Sequence, residues 1–196
     1  MRGRSTKGIV MTGIMGAFGN ALSFLSIRVA PLVPSLPLGP ISVSIALDMS
    51  HIATFIAALF GGPIPGCLTG LIGGLLASYE FGFSKGNLIT GFGLPIGKAL
   101  TGLTAGIILR RFGSRSRNGV MMVPITVASY IPEGAYTALL FIYIFPIAFG
   151  LPRWIASILT LQILAKAFIE MAVMGLILMG LIRNRGFFEY IKGLFS

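Results

Sequence analysis

Acidic residues are scarce in this chain: five Asp and Glu stand against fifteen Lys and Arg, and charged side chains of both signs make up only 10% of 196 residues. Soluble domains carry about 25% charge, so an ordinary water-facing surface is excluded. There is one cysteine, Cys67, and one histidine, His51. A single thiol rules out an internal disulfide and a multi-thiolate metal site, and a single imidazole rules out a histidine cluster. The one Gly-x-Ser-x-Gly string, Gly82-Phe-Ser84-Lys-Gly86, falls in the 80–86 loop between two spans rather than on the strand-to-helix elbow a nucleophile needs, and no nucleotide-binding loop or low-complexity linker occurs. A serine–histidine mechanism would also rest on the lone His51. Neither an enzyme, a cofactor nor a bound metal is expected.

What fills the chain instead is apolar: 55% of the residues are hydrophobic and the mean hydropathy is +0.93. The pattern predicts an all-α membrane protein, a single compact bundle of six transmembrane helices spanning about 8–27, 45–60, 64–79, 87–109, 119–144 and 154–182. The net charge of +10 invites a nucleic-acid reading, but the basic residues sit at segment ends rather than in one patch. One side of the membrane receives Arg2, Arg4, Lys7, Arg110, Arg111, Arg115, Arg117, Arg183, Arg185 and Lys192, against Arg28, Lys85 and Arg153 on the other. This asymmetry predicts that both termini are cytoplasmic, in a multi-pass protein of the plasma membrane, with no nucleic-acid partner. The first apolar stretch reads as a retained helix rather than a cleaved signal.

The second and third spans form a hairpin folded at Gly61-Gly-Pro-Ile-Pro-Gly66, where the prolines forbid one continuous helix and the glycines supply the turn. The third span keeps small residues among large ones, which lets helix backbones approach closely in lipid. Two stripes of small residues run along the first span: Gly13, Ala17 and Ala21, and beside them Gly8, Thr12 and Gly16. Such stripes mark close helix contact, within the protein or with a partner. Asn20 is expected to hydrogen-bond a neighbouring helix. The four prolines of 28–40 exclude a continuous helix, and that apolar stretch is read as a lid over the bundle. Residues Phe187, Phe188, Ile191, Leu194 and Phe195 space as one face of a short interfacial helix.

Two lysines and two glutamates fall inside the predicted spans. Lys98 lies in the fourth, Glu133 in the fifth, and Lys166 and Glu170 one turn apart in the sixth. Each costs a few kcal/mol facing lipid, so all four are expected to face the bundle interior or a wet cavity. They serve either as a ligand or ion site or as a mutually paired cluster. Gln162 shares the helix face of Lys166 and Glu170. Tyr130 and Tyr136 flank Glu133 and are placed to stack on a planar ligand, and Pro132 allows a kink beside the charge. Asp48 and His51 are read as a charged pair capping the second span, and Cys67 as a small packing residue.

Taken together, these pieces resemble the substrate-binding S component of an energy-coupling-factor (ECF) type vitamin transporter. Gly13-Ala17-Ala21 is similar to that family's alanine-spaced motif for its coupling subunit, with Gly13 replacing the first alanine. Ala57-Ala-Leu-Phe-Gly-Gly-Pro-Ile-Pro-Gly66 resembles its phenylalanine–glycine–proline turn, and Asn87-Leu-Ile-Thr-Gly-Phe-Gly93 with 102–110 resembles its fourth helix. The resemblance implies a protein with no ATPase of its own, which binds a vitamin or related metabolite from outside with high affinity. The pocket would be formed mainly by the last three spans and closed by the outer loops. Binding residues would include Lys98, Glu133, Lys166, Glu170, Gln162, Tyr130 and Asn87. Gly13, Ala17 and Ala21 would meet a transmembrane coupling subunit joined to two ATPase subunits. The Lys166 region is similar to riboflavin-type members, Glu133 has no counterpart role there, and the ligand stays open among riboflavin, pantothenate and others. The alternative reading is a small secondary transporter with Glu133 or Glu170 as a proton relay, although no inverted repeat is visible.

Overall fold

The computed structural model describes residues 2–32, 35–38, 41–44, 47–116 and 119–195. Helix α1 covers Arg2–Val29 and ends in a 3₁₀ turn, Ala30–Leu32. Strands β1 (Ser35–Leu38) and β2 (Ile41–Ser44) pair antiparallel, with Ser35 opposite Ser44 and Leu38 opposite Ile41. The packed body is helical: α2 (His51–Gly61), α3 (Pro63–Gly73), α4 (Leu75–Phe81), α5 (Leu88–Ser116), α6 (Met122–Leu139), α7 (Phe145–Phe149), α8 (Arg153–Arg183) and α9 (Arg185–Phe195). The expected lid over 28–40 starts as helix and includes a strand. Its positions 33, 34, 39 and 40 lie outside the described residues.

Among the described residues, five stretches are long and apolar enough to cross a membrane: Thr6–Leu32, Pro63–Lys85, Leu88–Phe112, Met122–Phe149 and Arg153–Arg183. Large apolar side chains such as Ile9, Leu161 and Ile169 are exposed on the outside of the bundle. That is the surface of a multi-pass membrane protein rather than of a soluble one. The second expected span is shorter than the sequence suggested. Helix α2 has 11 residues, about 16 Å, and does not begin at 45.

The reason lies in the backbone just before α2, where side chains take three consecutive N–H groups. Asp48 N–H donates to Glu170 Oε1 (3.1 Å), Met49 N–H to Ser26 Oγ (3.2 Å) and Ser50 N–H to Asp48 Oδ1 (3.0 Å). With these donors satisfied from α1, from α8 and locally, a helical turn has nothing to add. Every residue of α2 from His51 to Ala58 is buried, so this short helix is the centre of the bundle.

Close backbone contacts fix the arrangement around it. Asn20 of α1 donates its amide to Ile72 O (2.8 Å) and accepts Leu76 N–H (3.0 Å). The side chain thus stands in for the Ile72–Leu76 helical bond where α3 breaks into α4 at Gly74. Gly62, with φ of 89°, turns α2 into α3, and Pro63 opens α3 where its missing N–H costs nothing. Helix α3 then lies along α5 in the opposite direction. A Cβ at Gly66 would meet Gly102 O at 2.6 Å, and one at Gly74 would meet Pro95 Cα at 2.8 Å. Between them, a Cβ at Gly70 would strike the carbonyl of Lys98. Pro95 leaves the Gly91 carbonyl without a helical donor, and the Ser78 hydroxyl supplies one. Gly70→Ala is therefore expected to cost about 1–3 kcal/mol, read as a lower melting temperature in detergent. An unchanged melting temperature would contradict the backbone contact.

Helix α6 lies antiparallel to both α5 and α8: Gly97 faces Glu133 and Gly93 faces Leu140, while Gly175 packs on Val123 and Gly134 on Leu164. It also runs further than the sequence suggested. Residues Leu140–Ile144 form a π-helical turn leading into α7, and the turn to α8 begins only at Gly150, with φ of 63°. Pro146 cannot donate to the preceding turn, and a wider turn relieves its clash with the carbonyl there. At the other end of the bundle, α9 crosses beneath α2. Phe188 packs on Phe60 with ring centroids 5.3 Å apart, and Ile191 is buried.

Candidate functional site

A cavity of about 560 Å³ opens between α1, α2, α5, α6 and α8, in the half of the bundle away from α9. Lys98, Tyr130, Glu133, Gln162, Lys166 and Glu170 all line it. The four intramembrane charges read from the sequence therefore converge on one space, with Tyr136 beside them. Most of the wall is apolar, including Leu94, Leu140, Phe141, Phe145 and Ile163. The π-helical turn brings the Phe141 and Phe145 rings to this wall, stacked with centroids 4.4 Å apart.

Asn87 stands apart from the other expected binding residues. It does not line the cavity; its side chain accepts Thr90 N–H at 3.0 Å and caps the start of α5. Asp48 and His51, read from the sequence as a capping pair, both line the cavity and turn to different partners. Lys98 is 4% exposed and donates to Asp48 Oδ2 at 2.8 Å and to Ser50 Oγ. Burial raises the Asp48 carboxyl, but the Lys98 ammonium, His51 and the hydrogen bonds from Lys98 and Ser50 together outweigh it and hold the group below the ordinary carboxylate range.

Glu133, 7% exposed, uses one oxygen for both of its partners. Its Oε2 accepts the Thr101 hydroxyl and lies 3.4 Å from His51 Nε2. Lys166 Nζ stands 3.6 Å from Glu170 Oε1 along the same helix, and that oxygen also accepts Asp48 N–H. Tyr130 is buried and meets Phe168 edge-on at 5.4 Å. Sequence reasoning missed Asp48, Ser50, His51 and Thr101. The signal for the first three was Asp48-Met-Ser50 directly before an apolar run, the mark of a helix start. Thr101, one of three threonines on α5, carried no signal that set it apart from Thr90 and Thr104.

The three small residues expected at a partner interface, Gly13, Ala17 and Ala21, are all exposed on the outer face of α1. The neighbouring stripe points inward, where a Cβ at Gly16 would meet Ile72 at 2.7 Å. Among the described residues, it is the second stripe that packs within the chain.

Comparison with protein-family models, curated proteins and solved structures finds no match for this chain. Chemically, the site is an apolar chamber with fixed charges on its wall, an arrangement that can hold a small amphipathic molecule.

Proposed function

We propose that the protein is a membrane-embedded, high-affinity solute-binding subunit for uptake of a vitamin or related small metabolite. In this reading it has no ATPase activity and works with a transmembrane coupling subunit and two ATPase subunits. The observation that carries the reading is the 560 Å³ cavity lined by Lys98, Glu133, Lys166 and Glu170. Ionisable groups are retained at membrane depth where they serve a solute or ion path, and a chamber of this size suits a vitamin-sized molecule. The positive-inside rule supports a cytoplasmic location in the plasma membrane for the basic end, with both termini. The cavity would then sit in the outer half, open to solutes arriving from outside. The outward stripe Gly13, Ala17 and Ala21 suits close docking of a partner helix.

The test has two arms. Protein purified in detergent and then denatured is expected to release a single small molecule in stoichiometric amount, identified by mass spectrometry. Uptake of that molecule by cells is expected only when the coupling subunit and ATPases are co-expressed. Equal uptake without them would remove the reading. The second reading, a proton-coupled secondary transporter, draws on the proximity of His51 to Glu133 at 3.4 Å. Uptake into liposomes holding this protein alone, driven by a pH gradient, would favour it.

A further inference from the structure

The charges on the cavity wall do not cancel. Asp48, Glu133 and Glu170 contribute three carboxylates, and Lys98 and Lys166 two ammonium groups. The stretch 33–47, which includes undescribed positions, holds no charged residue. Lys98 is committed to Asp48 and Ser50, and Lys166 faces Glu170. Glu133 meets Thr101 and His51 instead. Among the described residues no lysine or arginine nitrogen lies within 4.0 Å of it. His51 approaches only Oε2, with Nε2 at 3.4 Å, and its buried Nδ1 has no hydrogen-bond partner among the described residues.

The other carboxylate oxygen, Glu133 Oε1, makes no hydrogen bond with the described residues, yet is not among the sealed, unsatisfied atoms of the interior. It lies beside Gly97, a cavity-lining position where a Cβ would stand 3.2 Å away. A carboxylate oxygen open to an apolar chamber, with no lysine or arginine beside it, draws a cation strongly. The same cavity is lined by Tyr130, Tyr136 and the stacked Phe141 and Phe145 rings, whose faces favour both flat apolar bodies and positive charge.

We infer that the cavity selects a small organic cation: a protonated amine or ring nitrogen on a flat apolar body, with the nitrogen at Glu133 Oε1. The inference rests on the cavity being a solute site, and names the class of solute it takes. It narrows the range left by the sequence, because Lys98 is already occupied by Asp48 and is not free to hold a ligand carboxylate.

Three indoles that share a ring and differ in charge provide the test: tryptamine, tryptophol and indole-3-acetate, each titrated against the full-length protein in detergent up to millimolar concentration. Tryptamine is expected to raise the melting temperature at concentrations at least about tenfold below those tryptophol needs, the effect of one added ionic contact, and indole-3-acetate to give no shift. Glu133→Gln is expected to erase the difference between tryptamine and tryptophol while leaving the tryptophol response in place. If that variant does not fold, the comparison on the wild-type protein decides alone. Equal shifts with all three compounds, a preference for indole-3-acetate, or no shift with any of them overturns the inference. Solute binding itself is judged separately by the molecule released from the denatured protein, so the two readings can fail independently.

Discussion

Ala17→Trp is expected to reduce uptake to the level of cells lacking the protein while leaving ligand binding by the purified protein unchanged. Ala17 is exposed on α1 between Gly13 and Ala21, and a Cβ at Gly13 would touch nothing within 4 Å. An indole at position 17 therefore has room and disturbs no contact within the chain. The residues that α1 gives to the cavity, Ser23, Ser26, Ile27 and Ala30, lie further along the helix. Binding and folding should be indifferent to the change. A partner helix seated on the small-residue stripe, by contrast, would be pushed off by the ring. The measurement pairs radiolabelled uptake in cells holding all subunits with binding and melting temperature of the isolated protein. Normal uptake would show that this face docks nothing required for transport.

Lys98→Met is expected to have the largest effect on the isolated protein, a loss of about 3 kcal/mol in equilibrium unfolding in mixed micelles. The substitution keeps the length of the side chain but strips Asp48 of its counter-charge. The figure is set at the low end for a broken buried pair because the Asp48 side chain remains one-third exposed toward the cavity, at 33%. Asp48→Asn alone should also destabilise, by stranding the ammonium of Lys98, which is 4% exposed. The double variant should recover much of the loss, because neither charge is then left uncompensated. A double-mutant cycle reads this coupling directly. Purely additive losses would mean that Lys98 and Asp48 do not depend on each other, contrary to their 2.8 Å contact.

Much of this arrangement was legible in the residues themselves. The cost of charge in lipid was enough to bring Lys98, Glu133, Lys166 and Glu170 indoors, and four-residue spacing put Gln162 on the same face. Asn20 in an apolar helix announced a contact to another helix, although not that it would replace a backbone bond at Ile72 and Leu76. The failures have one physical root: hydropathy reports which residues avoid water and says little about where hydrogen bonds go. The run 45–60 is apolar enough for a helix, but Ser26 and Glu170, distant in sequence, hold the backbone donors of Met49 and Asp48. For the same reason α6 outruns its expected end, since a π-helical turn absorbs Pro146 and hydropathy does not register the turn. Asn87 is a different case. Its place in a family-like string suggested a ligand contact, whereas an asparagine three residues before a free N–H at Thr90 is first of all a helix cap.

The glycine seam between α3 and α5 carries a consequence for how the chamber can change size. Lys98 has its carbonyl pressed on Gly70 and its ammonium tied to Asp48 and Ser50. One wall of the chamber is thus set by main-chain thickness, which no exchange of side chains alters. Capacity for a bulkier or slimmer guest must then come from other lining side chains, among them Tyr136, Phe141 and Leu159 of α6, the π-helical turn and α8. A lineage changing its cargo could resculpt those three positions while the α3–α5 frame stayed as it is.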